Sequence, residues 1–238
     1  MARLGPWRYD TPIEVCLVVM EIPTNYVLIF ANGVIEDTTW IEPYLGRARA
    51  VIAADGGIRF PLALGRVPDV LIGDLDSLPE GVEERIPGWD IEVIRYPSAK
   101  DETDLELALL FAGRRFPEAE LLVLGGFGGR LDQTLANITL LAHPELIARP
   151  VTFVDEQETA RLIIAEAVIN GRAGDTLSLI PLGGPARVRD TTGLRWPLHD
   201  ETLAFGPARG ISNEMTANRA TVRLVDGMLL CIHSFTRP

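Results

Sequence analysis

The chain has 238 residues, of which 47% are hydrophobic and 23% are charged, a balance typical of a globular protein rather than of a disordered or membrane one. Its net charge of −11 disfavours nucleic-acid binding, which relies on basic surfaces. The two cysteines, Cys16 and Cys231, lie near opposite ends and show no zinc-type or CxxC spacing. We therefore expect a reduced, cytoplasmic protein of one or two domains.

Residues 1–25 are predicted to be an N-terminal extension, because the first strand of a repeated pattern begins at Tyr26. The apolar run Val15–Met20 is far shorter than the ~20 residues that span a bilayer. It also lacks a signal-like cleavage region, so no membrane segment is expected. Met20 itself is a possible start of the protein.

Residues 26–149 repeat one pattern: an apolar run, then small residues with Asp or Arg, then a helical stretch. Such alternation predicts an α/β domain with a mainly parallel sheet that is buried on both faces. Open sheets of this kind bind ligands beyond the carboxyl ends of their strands. We therefore expect the polar residues that follow the strands to converge. The apolar runs are Val27–Phe30, Val51–Ala54, Val70–Ile72, Ile91–Ile94 and Leu121–Leu124.

Asp74 and Asp76 directly follow the run Val70–Ile72. In an extended or turning backbone, residues i and i+2 point the same way, so both carboxylates can reach one Mg²⁺ ion. Asp, Gly and Ser also form ordinary turns, and that interpretation suffices for an isolated Asp-x-Asp. The recurrence of acidic residues after other strands favours a metal site.

The next strand leads into Lys100, Asp101 and Asp104. Thr103 and Glu106 form a capping-box pattern that predicts a helix from Leu105 to Phe111. Asp104 would also complement the dipole of that helix. Capping does not explain why Lys100, Asp101 and Asp104 are crowded together, whereas a site for a polyphosphate and a metal ion does.

A glycine-rich segment, Gly125–Gly129, precedes Arg130 and a helix that is predicted to start near Leu131. Its backbone amides can approach a phosphate, although a tight strand-to-helix turn is an alternative. Arg130 offers a planar fork for phosphate, and Asp132 can ligate a metal or position a hydroxyl. The apolar stripe of the helix is predicted to be core: Leu131, Leu135, Ile138 and Leu141.

Residues 150–238 change character, because short strand-like runs separated by Gly and Pro replace the helical pattern. We predict an all-β, sandwich-like domain. Asp226-Gly227 lies between two of these runs and is a signal for a two-residue hairpin that needs positive φ. The runs are Val151–Val154, Thr176–Ile180, Thr221–Val225 and Met228–Ile232.

These motifs, in this order, resemble the thiamine pyrophosphokinase family. The resemblance covers most of the chain from about Val27. It includes Gln133, where many bacterial members carry His, and Gly210-Ile211-Ser212 in place of the commoner Gly-Thr-Ser. The matching segments are Ala54–Gly57, Gly73–Ser77, Asp101–Asp104, Gly125-Gly126, Gly129–Gln133, Thr192–Trp196 and Ser212-Asn213.

The resemblance implies an N-terminal catalytic domain, a C-terminal thiamine-binding sandwich, and a homodimer with sites between subunits. It implies that Asp74, Asp76 and Asp104 hold Mg²⁺. The implied catalytic residues are Asp74, Asp76, Asp104, Arg130 and Asp132. The implied ATP-binding residues are Asn32, Asp55, Gly56, Gly57, Lys100, Asp101, Thr103, Gly128, Gly129, Arg130 and Gln133. The implied thiamine-binding residues are Trp196, Ser212 and Asn213, with Trp196 stacking on the thiazolium cation.

The reaction implied by the resemblance is Mg²⁺-dependent transfer of a diphosphate from ATP to the hydroxyl of thiamine, which gives thiamine diphosphate and AMP. Three alternatives stay open. The acceptor could be a hydroxymethyl pterin, the protein could bind nucleotide or thiamine without catalysis, or it could be a magnesium phosphohydrolase. For Trp196, a simple core position is also an alternative.

Overall fold

The structure, a computed structural model, describes the backbone of residues 16–18 and all of residues 22–235. Most of the predicted N-terminal extension, including Met20, lies outside the described residues. The strands form one ten-stranded and one five-stranded sheet. The strands are β1 (Cys16–Val18), β2 (Tyr26–Phe30), β3 (Ala50–Ala54), β4 (Val70–Gly73), β5 (Glu92–Arg95), β6 (Glu120–Leu124), β7 (Val151–Val154), β8 (Glu158–Ile163), β9 (Glu166–Asn170), β10 (Thr176–Pro181), β11 (Ala186–Thr192), β12 (His199–Leu203), β13 (Asn213–Glu214), β14 (Arg219–Asp226) and β15 (Leu229–Ser234). The α-helices are α1 (Glu42–Leu45), α2 (Arg59–Ala63), α3 (Asp104–Arg115) and α4 (Leu131–Leu140), with 3₁₀ turns at Thr39–Ile41, Asp55–Ile58 and Ile86–Gly88.

One half of the ten-stranded sheet is parallel, in the order β7-β6-β2-β3-β4-β5. Alternate residues of β2 serve opposite faces: Val27 and Ile29 pack in the cluster that contains α3, and Leu28 and Phe30 pack in the cluster on the other face. The predicted parallel α/β sheet is therefore confirmed. Only β5 departs from burial on both faces, because it is the edge strand and Val93 is 37% exposed.

The two long helices begin where the sequence predicts, but they differ in burial. Thr103 Oγ1 accepts a hydrogen bond of 3.2 Å from the N–H of Glu106, which caps α3. In α4, Leu141 just past the helix end is buried, whereas Leu131 and Leu135 are 72% and 55% exposed. The prediction that all four apolar residues are core is wrong for these two, because the first turns of α4 lie beside an open cleft rather than under another layer.

The other half of the ten-stranded sheet is antiparallel and continues from β7 through β8, β15, β10 and β13. The five-stranded sheet, in the order β1-β9-β14-β11-β12, packs over it. Their shared core includes Leu179 and Leu229 from the larger sheet and Val188 and Val222 from the smaller one. The predicted sandwich is confirmed.

The predicted hairpin at Asp226-Gly227 is wrong, although the turn has the expected geometry. Gly227 has φ +85°, and a Cβ atom there would lie 2.5 Å from the carbonyl oxygen of Pro185. The flanking strands do not pair with each other: β14 bonds to β9 and β11, and β15 bonds to β8 and β10. Because both edges of each strand are already occupied, this turn carries the chain from one sheet to the other.

The composition shift near residue 150 coincides with β7, which pairs parallel to β6 and antiparallel to β8. The larger sheet is thus continuous across the predicted boundary between residues 149 and 150, and the division into two domains stays a prediction. Among the described residues, no helix is both long enough and apolar enough to span a membrane.

Candidate active site

A cleft of about 640 Å³ opens at the carboxyl ends of β2, β3, β4 and β6, as the strand order predicts. We call it the acidic cleft. Its walls come from the loops after these strands and from the first turns of α3 and α4. Ten of the predicted site residues line it: Asn32, Asp55, Asp74, Asp76, Thr103, Asp104, Gly128, Gly129, Arg130 and Gln133.

Three carboxylates meet inside the acidic cleft. One oxygen from each of Asp55, Asp74 and Asp104 lies within 4.8 Å of the others. The close approach requires Gly73, because a Cβ atom there would lie 3.0 Å from Asp55 Cβ and 3.1 Å from Asp104 Oδ1. The sequence motif assigned Asp55 to ATP binding, so its membership in this carboxylate cluster was missed.

Asp76 lines the same cleft but is not one of these three carboxylates. Leu75, with φ +68°, turns the backbone between Asp74 and Asp76. The N–H of Asp76 donates to Asp74 Oδ1 at 3.2 Å, and Ser77 Oγ donates to Asp76 Oδ1 at 2.8 Å. Asp76 is exposed, so its carboxylate faces solvent at the cleft wall.

Lys100 supplies a positive charge beside the carboxylate cluster. Its Nζ lies 3.0 Å from Asp104 Oδ1 and 3.6 Å from Asp74 Oδ2, and its side chain is only 12% exposed. Asp104 Oδ1 is buried, and its contact with Lys100 is an ion pair. Three carboxylates and one ammonium leave two negative charges, and an oxygen donor set of this kind is what Mg²⁺ prefers.

The surroundings favour the charged forms of Asp74 and Lys100, whereas burial disfavours that of Asp55. The backbone N–H of Asp76, with help from Ser98 and Lys100, lowers the pKa of Asp74 below its usual value. Burial works to lower the pKa of Lys100, but Asp104 and Asp74 hold it above its ordinary value. Burial raises the pKa of Asp55, against the opposing hydrogen bonds from Gly56 and Ser77.

The glycine-rich loop forms another part of the cleft wall, through Gly126, Gly128 and Gly129. Gly125, Gly128 and Gly129 have φ values of +68°, +80° and +73°, a region that favours glycine. Asn137, buried on α4, donates from Nδ2 to the carbonyl oxygen of Gly126 at 2.8 Å and so fixes the loop to the helix. The signal for this role was present in the sequence, since Asn137 lies on the helix that follows the loop.

Arg130 and Asp132 are both exposed and pair with each other through two hydrogen bonds. This contact lowers the pKa of Asp132. Arg130 lines the cleft, whereas Asp132 and the exposed Asp101 are not among the residues of its wall. A phosphate that binds Arg130 would have to share the guanidinium with Asp132.

Gly56 and Gly57 also lie off the cleft wall, and both are buried. A Cβ atom at Gly56 would lie 2.6 Å from the carbonyl oxygen of Ser77, and one at Gly57 would lie 2.3 Å from that of Phe30. Close backbone packing of this turn is therefore a sufficient reason for both glycines. Their predicted contact with ATP stays a prediction.

The predicted thiamine residues form a second cluster, which we call the Trp196 platform and define as Trp196, Ser212 and Asn213. Asn213 is buried: its Oδ1 accepts from the N–H of Trp196 at 3.1 Å and of Glu214 at 2.9 Å, and its Nδ2 donates to the carbonyl oxygen of Trp196 at 2.7 Å. Trp196 is 56% exposed, so the alternative of a simple core position is wrong. Ser212 has φ +55°, and its N–H donates to Ser178 Oγ at 3.0 Å.

The Trp196 platform and the acidic cleft lie far apart along the larger sheet. Asn213 is on β13, an edge strand, and β4, which leads into Asp74, is eight strand positions away. The strands that end at the cleft, from β6 to β4, lie five to eight positions from β13. At about 4.8 Å between neighbouring strands, this corresponds to about 25–40 Å along the sheet. None of the three platform residues lines the cleft of the same chain.

The fold and the acidic cleft define a class of proteins: α/β enzymes that handle phosphates at the carboxyl edge of a parallel sheet. Comparison with known families narrows this class. Residues 41–179 match the family description "Thiamin pyrophosphokinase, catalytic domain", and residues 166–229 match "Thiamin pyrophosphokinase, vitamin B1 binding domain". The chain therefore belongs to the thiamine pyrophosphokinase family, a family of transferases in the synthesis of thiamine diphosphate.

Relatives and solved structures agree with this assignment. The chain is 30% identical to thiamine pyrophosphokinase of Bacillus subtilis over 222 residues, which cover 91% of this chain and 97% of that protein. It is 32% identical to thiamine pyrophosphokinase 1 of Oryza sativa subsp. japonica over 166 residues, but these span only 62% of the rice protein and 66% of this chain. The crystal structure of the B. subtilis protein has a TM-score of 0.79 and 28% identity, covering 88% of this chain and 99% of that one.

Proposed function

We propose that the protein transfers the diphosphate of ATP to the hydroxyl of thiamine, giving thiamine diphosphate and AMP in a Mg²⁺-dependent reaction. The observation that carries the proposal is the meeting of Asp55, Asp74 and Asp104 beside Lys100, in a cleft that a glycine-rich loop also lines. Attack on a phosphate chain mainly requires alignment and neutralisation of charge. The acidic cleft offers donors for both tasks.

Magnesium, when bound, would neutralise the phosphate oxygens and align them for in-line attack. Asp74 and Asp104 would hold it, and Asp55 lies close enough to join them. Asp76 stays the predicted third ligand from the sequence. Asp76 and Asp104 are the two candidates for accepting the proton of the attacking hydroxyl.

Two cations would steady the phosphate chain: Arg130, which lines the cleft, and Lys100, which is not among its wall residues but contacts Asp74 and Asp104. Lys100 is held near the carboxylates by Asp104 and Asp74, so it can face a phosphate bound against them. Arg130 lines the same cleft next to Gly128 and Gly129, whose backbone amides can also approach the nucleotide. The further proposed contacts with ATP are Asn32, Asp55, Gly56, Gly57, Asp101, Thr103 and Gln133, with Asp132 acting beside Arg130.

Trp196 would stack on the thiazolium ring of thiamine, because an exposed aromatic face attracts a cation by about 0.5–2 kcal/mol. The hydrogen bonds of Asn213 support a different role from the one the motif suggests. Both polar atoms of its side chain bind the backbone around Trp196, so Asn213 would orient Trp196. Ser212 remains a proposed contact of the pyrimidine.

We propose that the active protein is a homodimer in which the Trp196 platform of one subunit closes the acidic cleft of the other. The separation of about 25–40 Å along the sheet, and the absence of the platform residues from the cleft wall of the same chain, support this arrangement. Exposed apolar side chains lie near both: Val34 and Leu131 beside the cleft, and Ile211 beside the platform. In a two-fold symmetric dimer, the contact between the cleft of one subunit and the platform of the other would occur twice, so these apolar side chains would be buried in both subunits.

The direct test incubates the protein with ATP, Mg²⁺ and thiamine and measures thiamine diphosphate and AMP. Both products should appear in equal amounts and only when thiamine and Mg²⁺ are present. Formation of AMP with a hydroxymethyl pterin as acceptor, and none with thiamine, would identify the alternative acceptor. Binding without any AMP would identify a non-catalytic module, and release of phosphate without an acceptor would identify a phosphohydrolase.

The dimer can be tested by mixing two impaired variants, Asp74→Asn and Trp196→Ala, at a thiamine concentration well below KM, where Trp196→Ala alone should keep about a tenth of wild-type activity. If each site combines two chains, a mixed dimer has one site with both defects and one intact site. Random mixing should then restore about a quarter of wild-type activity. Mixed dimers that show no restored activity would place the whole site within one chain.

We also propose that the protein acts in the cytoplasm. Cys231, the cysteine whose side chain is described, is a free and fully buried thiol, as is usual in a reducing compartment.

A further inference from the structure

Arg59 is a half-buried cation on the wall of the acidic cleft that the motifs do not include. It is the first residue of α2, directly after the turn Asp55–Ile58. Its guanidinium lies over the ring of Phe60 at 4.3 Å from the centroid, and Phe60 is buried. The guanidinium of Arg59 is therefore held against a buried ring of the core.

The guanidinium of Arg59 connects two loops that follow different strands. Nη1 donates to the carbonyl oxygen of Gly56 at 3.1 Å, in the turn after β3. Nη2 donates to the carbonyl oxygens of Asn32 at 3.3 Å and of Gly33 at 2.5 Å, in the loop after β2. A guanidinium has five N–H donors, so these three bonds leave two for a further acceptor.

The loop that Arg59 holds is packed tightly against the glycine-rich loop. The N–H of Gly33 donates to the carbonyl oxygen of Gly125 at 2.8 Å, and the N–H of Val34 donates to that of Phe127 at 3.2 Å. A Cβ atom at Gly33 would lie 2.3 Å from the Gly125 carbonyl oxygen. The position of Arg59 thus affects three walls of the cleft together: the turn with Asp55, the loop with Asn32, and the glycine-rich loop.

We propose that Arg59 is a positioning residue for the nucleotide, which ties the loop after β2 to the turn after β3 and adds a positive charge beside the phosphate chain. The inference rests on the proposed use of ATP and deepens it. The chemistry fits, because burial with three backbone carbonyls holds the planar guanidinium in one orientation before the ligand arrives. An acidic cleft also needs fixed cations if it is to accept a triphosphate.

The test compares Arg59→Met and Arg59→Lys with wild type. Arg59→Met keeps an apolar stem over Phe60 but removes the charge and all three hydrogen bonds, and Arg59→Lys keeps the charge but loses the fork. The affinity for ATP with Mg²⁺ is measured by calorimetry, and KM is measured for ATP and for thiamine. Arg85→Met is the matched control, since Arg85 lies over Trp89 at 4.9 Å but does not line the cleft.

We expect Arg59→Met to weaken ATP binding at least about tenfold, as for the loss of contacts made by a charged donor. The KM for thiamine should not change, Arg59→Lys should recover part of the ATP affinity, and Arg85→Met should match wild type. A folded Arg59→Met with wild-type ATP affinity would overturn the inference. If Arg59→Met does not fold, Arg59→Lys decides instead: wild-type ATP affinity in Arg59→Lys would overturn the inference. Absence of ATP binding by the wild-type protein would instead overturn the proposed function and the inference with it.

Discussion

The acidic cleft and the Trp196 platform are built in different ways: the cleft lies on the ten-stranded sheet alone, whereas the platform joins Asn213 of that sheet to Trp196 from the connection between β11 and β12 of the five-stranded sheet. The cleft lies where parallel strands end, so loops from β2, β3, β4 and β6 surround it within one chain. The platform lies at an antiparallel edge, where Asn213 holds Trp196 in place but leaves more than half of its surface exposed. The cleft is thus a preassembled pocket for a charged ligand, whereas the platform is an open surface that needs a second wall.

The largest expected effect comes from removing a charge of the cleft. Asp74→Asn should lower turnover by about 100-fold or more, because metal-based stabilisation of phosphate charge is worth several kcal/mol. The fold should persist, since the change preserves the shape of the side chain. Turnover is measured as AMP formed at saturating thiamine. Asp200→Asn is the control and should keep wild-type turnover, because Asp200 is exposed and pairs only with Arg187 among the described residues. Wild-type turnover of Asp74→Asn would contradict the metal assignment.

A second comparison decides which carboxylate completes the metal site. The geometry favours Asp55, which is within 4.8 Å of Asp74 and Asp104, over the exposed Asp76. Asp55→Asn should therefore weaken Mn²⁺ binding, measured by electron paramagnetic resonance without nucleotide, by about 10- to 100-fold. Asp76→Asn should weaken it less. The opposite order would restore the ligand set that the sequence motif implies.

On the platform, Trp196→Ala should raise the KM for thiamine about tenfold and leave the KM for ATP unchanged. The expected loss corresponds to a cation–π contact of about 0.5–2 kcal/mol. Trp196→Phe keeps an aromatic face and should recover part of the affinity. Equal increases in both KM values would show that the platform and the cleft do not serve separate substrates.

The two halves can also be compared through their buried asparagines. Asn213→Ala removes three hydrogen bonds and should lower the free energy of unfolding by about 1–3 kcal/mol. Asn137→Ala removes one hydrogen bond, to Gly126, and should lower the free energy of unfolding by less. Urea unfolding measures both. In steady-state assays, Asn213→Ala should raise the KM for thiamine, and Asn137→Ala should raise the KM for ATP. The reverse pattern would contradict the assignment of the platform to thiamine and of the cleft to ATP.

The smallest effect concerns acid stability in the antiparallel half. His233 is buried and bonded to Asp175 at 2.9 Å, and burial lowers its pKa below the ordinary 6.5 in spite of Asp175. The unfolded chain therefore binds a proton as pH falls below 6.5, while the folded chain does not. Stability present above pH 6.5 should be lost on acidification through this window. The difference in urea midpoint between pH 8 and pH 5.5 should be smaller for His233→Gln than for the wild-type protein. Equal differences in the two proteins would contradict this role of His233.

Part of the site was predictable because it depends on strand order alone. Asp55, Asp74 and Arg130 each follow an apolar run, and parallel strands bring such residues to one edge. Arg59 was not predictable from these motifs, since it acts through carbonyl oxygens of two loops that meet only in the folded chain. The role of Asp55 was missed for the same reason, because the distance between carboxylates depends on the close approach allowed by Gly73.

The sequence by itself determined the fold class, because apolar periodicity distinguishes buried parallel strands from the shorter runs of a sandwich. It also predicted the helix starts to within one residue: Leu105 against the observed Asp104, where Thr103 caps the helix, and near Leu131, where α4 begins. Only the tertiary structure decided that Asp226-Gly227 joins two sheets, that Leu131 and Leu135 are exposed, and that Trp196 stands open. The physical reason is that pairing partners and solvent exposure depend on distant segments, whereas propensity and capping depend on neighbours along the chain.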